Sequence, residues 1–325
     1  MSRRIADHAS GRIAVLGAAS PAGAHLKAAL ADRGIPGGRV VLFGHQREVA
    51  VLSEYDGEAR LVQTADELDA AACDAVFVCE PGYDGALLAQ AAASGTLIVD
   101  MTGSIPGTVL AGAADSSTDA RLVAVPHAVT ALLVGLLAPV HRAIGVARVS
   151  AFVLRPASDF GEAGLEELRE QTVHLLRFET TPTEVFGRQL AFNVLPEHLF
   201  PLGEEGAATR VVRESRALLR APELPFAVSQ ALVPSFFGHA VAVHVDLVRL
   251  GRDEALAAWR EAEGVEIADD PETGATLDAP QGAGILVARV DAIAGSTLRV
   301  WALASEAGAT AAGHAIAAGI EAGVL

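Results

Sequence analysis

Short apolar runs alternate with alanine- and leucine-rich stretches through the first 126 residues of the chain. Arg12 to Leu16 is an apolar run ending at Gly17, and His25 to Arg33 carries a helical pattern, which predicts a strand, a glycine turn and a helix. Arg39 to Phe43, Ala75 to Cys79 and Thr96 to Val99 repeat the strand pattern, with the alanine-rich Gly85 to Ser94 between the last two. Strands alternating with helices predict a parallel sheet covered on both faces.

Beyond Pro126 the texture changes. Thr130 to Ile144 predicts a long apolar helix, with Thr130 suited to capping it, and Val146 to Leu154 predicts a strand. Gly164 to Leu176 reads as an amphipathic helix, acidic in its first turns and with His174 and Arg177 near its end, as the helix dipole favours. Ala207 to Arg220 predicts another helix. Phe226 to Leu232, His239 to Leu247, Gly284 to Ala292 and Thr297 to Ala304 then read as strands, so this part is α+β. Ser305 to Leu325 is alanine-rich and predicts a closing helix, while 115–119 and 269–274 read as surface loops.

Composition narrows the function. With 24 basic and 40 acidic residues, a net charge of −16 and no Lys/Arg run, the chain repels phosphate backbones, and nucleic acid is not expected as a partner. No apolar stretch of about 18 uncharged residues or leader pattern is present, so neither membrane spanning nor secretion is expected. Cys73 and Cys79 flank an apolar run that, if extended, holds them roughly 20 Å apart, beyond the ~7 Å reach of a disulfide. Two free thiols fit a reducing cytoplasm. Lys27 is the only lysine, which removes a Walker-A loop and disfavours a Schiff base. Neither a Gly-x-Ser-x-Gly elbow nor a His-Glu-x-x-His motif is present.

The turn Gly17-Ala18-Ala19-Ser20-Pro21-Ala22-Gly23 lies where a dinucleotide pyrophosphate meets backbone N–H groups at a helix N-terminus, with Ser20 in place of the middle glycine. Gly17, Ala18, Ser20, Pro21, Ala22 and Gly23 are therefore the candidate cofactor residues. No carboxylate follows the second strand, whereas Arg47 is placed to accept a 2′-phosphate, which favours NADP over NAD. Glu80 and Asp100 end strands at the same edge, where nucleotide contact or loop solvation would account for them.

Four further segments carry a resemblance. Ile13 to Ala19, Phe160 to Leu168, Ala191 to Pro196 and Val233 to His239 resemble, in order, the opening turn, the Gly-x-Ala-Gly-x-x-Glu-Leu, the Phe-Asn-x-Ile-Pro and the Val-Pro-Val-x-x-Gly-His segments of aspartate-semialdehyde dehydrogenases. The resemblance implies an α/β protein of three parts: a Rossmann-like dinucleotide-binding domain over 1–127, an α+β catalytic and dimerisation domain over 128–304, and a C-terminal helix over 305–325 returning to the first domain. It also implies a homodimer, with a heteromer formed with a paralogous dehydrogenase as an alternative.

The family's Pro-Asn-Cys-Ser-Thr motif, with a proline nine residues after the threonine, is matched here by Pro126-His127-Ala128-Val129-Thr130 and Pro139. The nucleophile position holds Ala128. The resemblance further sets Arg155 at the glutamine beside the thiol and Leu232 and Pro106 at two anion-binding arginines. It sets Ala207 or Ala208 near a glutamate and Arg210 near a substrate-site lysine, so Arg155 and Arg210 are the candidate substrate residues. Losing one partner of a buried charge contact costs roughly 2–5 kcal/mol. Two lost arginines weaken an anionic substrate about a thousandfold or more. His239 remains as the candidate acid/base, although its parity with Val241, Val243 and Val245 also suits a packed histidine. His239 and His244 point to opposite faces of a strand, which argues against a shared metal, and no metal is expected. His127 stands where it can fill the emptied pocket; as a substitute nucleophile it would need activation.

The pattern resembles Usg-type paralogues, which depart from the dehydrogenase at the active site. The expectation is a cytoplasmic, dehydrogenase-like dimer without thiol chemistry, with NAD(P) binding as the function it could retain. The alternative is an oxidoreductase acting on a different aldehyde-type substrate through His239.

Overall fold

The computed structural model describes residues 11–45, 52–111, 120–200, 206–249, 251–270, 272–280, 284–304, 315–320 and 323–325. The chain divides into two compact units, Met1–Pro126 with Ala311–Leu325, and His127–Thr310.

The first unit contains β1 (Ile13–Leu16), α1 (Pro21–Asp32), β2 (Val40–Gly44), a hairpin of β3 (Leu52–Tyr55) and β4 (Glu58–Leu61), and β5 (Gln63–Thr64). β6 (Ala75–Val78), α2 (Gly85–Ala93), β7 (Leu97–Asp100), β8 (Val109–Leu110) and β9 (Leu122–Ala124) follow. Seven strands form one sheet in the order β5-β2-β1-β6-β7-β9-β8. All of its pairings are parallel.

Burial on both faces explains the unbroken apolar runs. Ile13, Val15, Phe77 and Val99 pack on one side with Leu26 and Leu30 of α1, while Leu16, Val76, Val78 and Ile98 pack on the other with Leu88 of α2. Each such aliphatic side chain contributes about 1.5–3 kcal/mol by leaving water. Residues 315–320 are helical, and Ala315, Ile316 and Ala318 join the α1 side of this core. Arg39 donates to the carbonyls of Gly11 and Val324, tying the chain end to the same unit.

The second unit runs α3 (Ala128–Ala143), β10 (Val146–Arg155), α4 (Gly161–Leu176), β11 (Leu195–Pro196), α5 (Ala207–Leu218) and β12 (Phe226–Leu232). It continues through β13 (His239–Leu247), α6 (Arg252–Arg260), β14 (Val265–Ile267), β15 (Ile285–Ala294) and β16 (Thr297–Ala304). The mixed sheet has the order β11-β12-β10-β13-β16-β15-β14. One face packs through Val149, Val153, Val243 and Val300 against Val129 and Leu133 of α3, Val211 of α5 and Trp259 of α6. The opposite face carries a row made by Phe152, Ala242 and Trp301, which pair across β10, β13 and β16, and Phe152 is 44% exposed.

Several boundaries differ from the sequence expectation. α1 begins at Pro21 rather than His25, because Ser20 caps it and proline suits the first helical position. α3 begins at Ala128 rather than Thr130, with His127 as its cap. α4 begins at Gly161 rather than Gly164. The hairpin and α6 are additional elements. The expected loop at 115–119 lies outside the described residues, as does 305–314 of the expected closing helix.

Candidate functional site

The glycine turn has a definite geometry. Gly17 has φ +75°, and a Cβ on it would lie 2.6 Å from the Cβ of Glu80; a Cβ on Gly23 would lie 2.2 Å from the carbonyl oxygen of Gly17. Both positions therefore require glycine, one for the turn and one for close helix packing. β1 lies between β2 and β6, so this turn sits at the switch point of the parallel sheet, where such sheets bind ligands.

The donors there are depleted. The Ser20 hydroxyl accepts from the Gly23 amide at 3.1 Å and lies 3.2 Å from the Cys79 carbonyl, to which it donates. The Ala18 amide donates to the Phe43 carbonyl, the Ala24 amide donates to the Ser20 carbonyl, and Pro21 has no N–H. The Gly17 amide donates to the Phe43 carbonyl and the Ser20 amide to the Gly17 carbonyl, so among the described residues the Ala19 and Ala22 amides are those of the turn with no acceptor. Past β2, His45 stacks on Tyr83 with centroids 4.4 Å apart, and Arg47 lies outside the described residues.

Asp100 is a loop anchor. Oδ1 accepts from the Thr102 amide and hydroxyl and the Gly103 amide, and Oδ2 accepts from the Ile105 amide, so neither nucleotide contact nor solvation accounts for it. Glu80 lies beside His45, its Oε2 4.0 Å from Nε2. Cys73 and Cys79 are free and buried, and burial pushes both thiols up from their ordinary range. Lys27 is buried on α1 and donates to Ser53.

In the second unit, the start of α3 gathers a charged cluster. The Val129 amide donates to His127 Nδ1 at 3.1 Å, so the imidazole is the N-cap. Glu214 of α5 holds the same helix start: Oε2 accepts from the His127 amide at 2.7 Å and the Thr130 hydroxyl at 2.9 Å, and Oε1 accepts from Arg210 Nε at 2.6 Å. Thr130 is thus a buried tie to α5 rather than a cap, because the cap position lies three residues earlier.

Arg155 ends β10 and donates through Nε to Asp159 Oδ2 at 2.6 Å, while His239, at the start of β13, places Nε2 2.9 Å from Asp159 Oδ1. Neither ring nitrogen of His239 is aligned for a directed hydrogen bond, so the ring and the carboxylate meet by close approach alone. Burial opposes ionisation of Asp159. His239 and Arg155 overcome that opposition and hold the carboxyl well below the usual range.

His127 is pushed down to about 3 by desolvation, then by Arg155 and Arg210. The residue keeps part of its surface, which trims the desolvation, but the two guanidinium charges act in the same direction. A neutral ring that accepts at Nδ1 carries its proton on Nε2, and no lone pair is left for nucleophilic attack.

The structure thus brings together His127, Ala128, Arg155, Arg210 and His239 with two residues the sequence reading did not single out, Asp159 and Glu214. Ala128 is the first residue of α3 and offers only a methyl group. Leu232 is buried with Ala157, Leu168 and Phe186 in an apolar cluster that has no use for a charge. Pro106 is exposed in the loop after β7. Ala207 is buried, and the Ala208 amide donates to Glu197.

The family described as "Semialdehyde dehydrogenase, dimerisation domain" matches residues 137–305, more than half of the chain. The chain belongs to the semialdehyde dehydrogenase family. Aspartate-semialdehyde dehydrogenase 2 of Vibrio cholerae is 26% identical over 322 residues, covering 94% of this chain and 95% of that protein. A USG-1 protein homolog of Azotobacter vinelandii is 27% identical over 267 residues, covering 78% and 80%. The fold matches a crystal structure of aspartate semialdehyde dehydrogenase II from Vibrio cholerae, complexed with ASA, with a TM-score of 0.80, 24% identity and coverage of 96% and 98%. It also matches an aspartate semialdehyde dehydrogenase with NADP from Candida albicans, with a TM-score of 0.66, 13% identity and coverage of 97% and 99%. The semialdehyde dehydrogenase fold here is a seven-stranded parallel sheet plus a mixed sheet. Among the described residues no cluster of His, Cys, Asp or Glu suits a metal, and no helix is long and apolar enough to cross a membrane.

Proposed function

We propose that this chain is a homodimeric member of the semialdehyde dehydrogenase family that lacks thiol-dependent dehydrogenase activity. The observation that carries the reading is Ala128 as the first residue of α3, the position at which a helix N-terminus stabilises a thiolate. Without a thiol, the aldehyde carbon gains no covalent bond to the protein, and a base such as His239 has no nucleophile to deprotonate. His127 does not substitute, because its free lone pair is committed to the Val129 amide. Burial of Leu232 among apolar side chains removes a cation that the family resemblance places there.

The cofactor fit is reduced rather than lost. Gly17 and Gly23 keep the turn shape, and the Ala19 and Ala22 amides are the groups that would hold a pyrophosphate. NADP supplies a hydride acceptor when bound; Ser20 weakens its site by engaging the Gly23 amide. Direct hydride transfer with His239 as acid/base is favoured less, because His239 is 1% exposed and faces an internal carboxylate. The dimer reading rests on the Phe152–Ala242–Trp301 row, which lies within the matched dimerisation domain. Turnover assays with aspartate semialdehyde, phosphate and NADP test the reading, and none is expected.

A further inference from the structure

Both arginines near the start of α3 are ion-paired from within the same segment, each with a carboxylate four residues later. Arg155 bonds Asp159 and Arg210 bonds Glu214. The second pair has a structural task, since Glu214 also holds the His127 amide and Thr130. The first pair is different. Among the described residues the Asp159 carboxylate holds no backbone amide and contacts only Arg155 and His239 in hydrogen bonds and ion pairs. These three side chains are 5%, 11% and 1% exposed for Arg155, Asp159 and His239.

Strand register explains the convergence. β10 and β13 pair antiparallel with Leu154 opposite Ala240, so Arg155 and His239 lie side by side at the strand ends. The chain then turns back through 157–160, fixed by the Ala157 amide on the Ser235 carbonyl and the Ser158 amide on the Phe236 carbonyl. That turn delivers the Asp159 carboxylate between the two side chains. The fit is incomplete, because neither nitrogen of the buried His239 ring finds a well-directed partner.

Resting on the proposed function for the placement of the site, we infer that Arg155 and His239 form a carboxylate-sized anion subsite and that Asp159 occupies it as an internal ligand. The subsite is closed to free carboxylates and phosphate as long as Asp159 is present.

Formate, acetate and inorganic phosphate are the probes, added to the full-length protein at constant ionic strength and followed by thermal denaturation and calorimetric titration. The wild type is expected to show no saturable binding, whereas Asp159→Gly is expected to bind formate at least about tenfold more tightly, a difference of roughly 1.4 kcal/mol. Arg155→Gln/Asp159→Gly, which removes both charges, is expected to fold and to lose the gain. Should Asp159→Gly fold only with formate present, the inference stands. It is overturned if the wild type binds formate as well as the variant does, if folded Asp159→Gly shows no saturable binding, or if formate fails to rescue a misfolded variant. Dehydrogenase turnover by the wild type would refute the proposed function and leave this anion result readable on its own.

Discussion

The Val129 amide donates to Nδ1 of His127 at 3.1 Å, so a neutral imidazole caps the helix that opens the second unit. Protonation of His127 destroys that acceptor and adds a charge between Arg155 and Arg210. Its folded-state pKa of about 3 lies below the unfolded value of about 6.5. Between those values the unfolded chain binds the extra proton, so stability falls as pH falls, and the contribution is complete above about pH 6.5. The loss approaches roughly 1.4 kcal/mol per pH unit below that point. His127→Asn, which keeps a capping oxygen, is expected to flatten the acid limb of a denaturant-midpoint profile measured from pH 7 to about 4. An unchanged slope counts against the neutral cap. Asp159, whose folded pKa is depressed, adds stability that is present above about 3.9 and lost at still lower pH.

Ala128→Cys places a thiol at the first position of α3, where the helix dipole favours thiolate. A thiol-labelling reagent is expected to find this new site faster than Cys73 or Cys79, which burial protects and keeps protonated. Turnover is not expected, because Leu232 and Pro106 supply no cation. Substantial rescue by this one change would contradict that.

Ser20→Gly releases the Gly23 amide from its side-chain cap at little cost to the helix, since glycine is itself a fair cap. One added charge-assisted hydrogen bond to a pyrophosphate is worth about 1.5–3 kcal/mol. NADP binding followed by fluorescence titration is therefore expected to tighten about tenfold or more. Equal affinity in the two proteins would remove the turn as the cofactor site.

Phe152→Glu introduces a charge at the exposed end of the Phe152–Ala242–Trp301 row on the second sheet. Sedimentation is expected to give a dimer for the wild type and a monomer for the variant, with near-identical circular dichroism. A variant that stays dimeric would place the interface elsewhere.

How much of this was legible depended on the range of the signal. β1, the glycine turn and α1 were readable because an apolar run, Gly17 and an alanine- and leucine-rich stretch lie within a few residues. The start of α3 is not legible in the sequence, because His127 is an unusual cap and Thr130 is of the residue type that ordinarily caps. The β3–β4 hairpin went unread because Leu52 and Leu61 are exposed and its strands are polar; its Asp56-Gly57 turn, with φ of 51° and 75°, was the available signal. Asp159 was hidden for another reason. Its spacing to Arg155 is local, but its contact with His239 spans eighty residues and exists only once β10 and β13 pair. Glu214 was equally obscure, since nothing in its helix announces that it holds the amide of His127.

The most direct measurement is turnover of purified protein with aspartate semialdehyde, phosphate and NADP, followed by NADPH absorbance beside a thiol-containing homologue. The account predicts no turnover above background. Reduction of NADP at a rate near that of the homologue would contradict it.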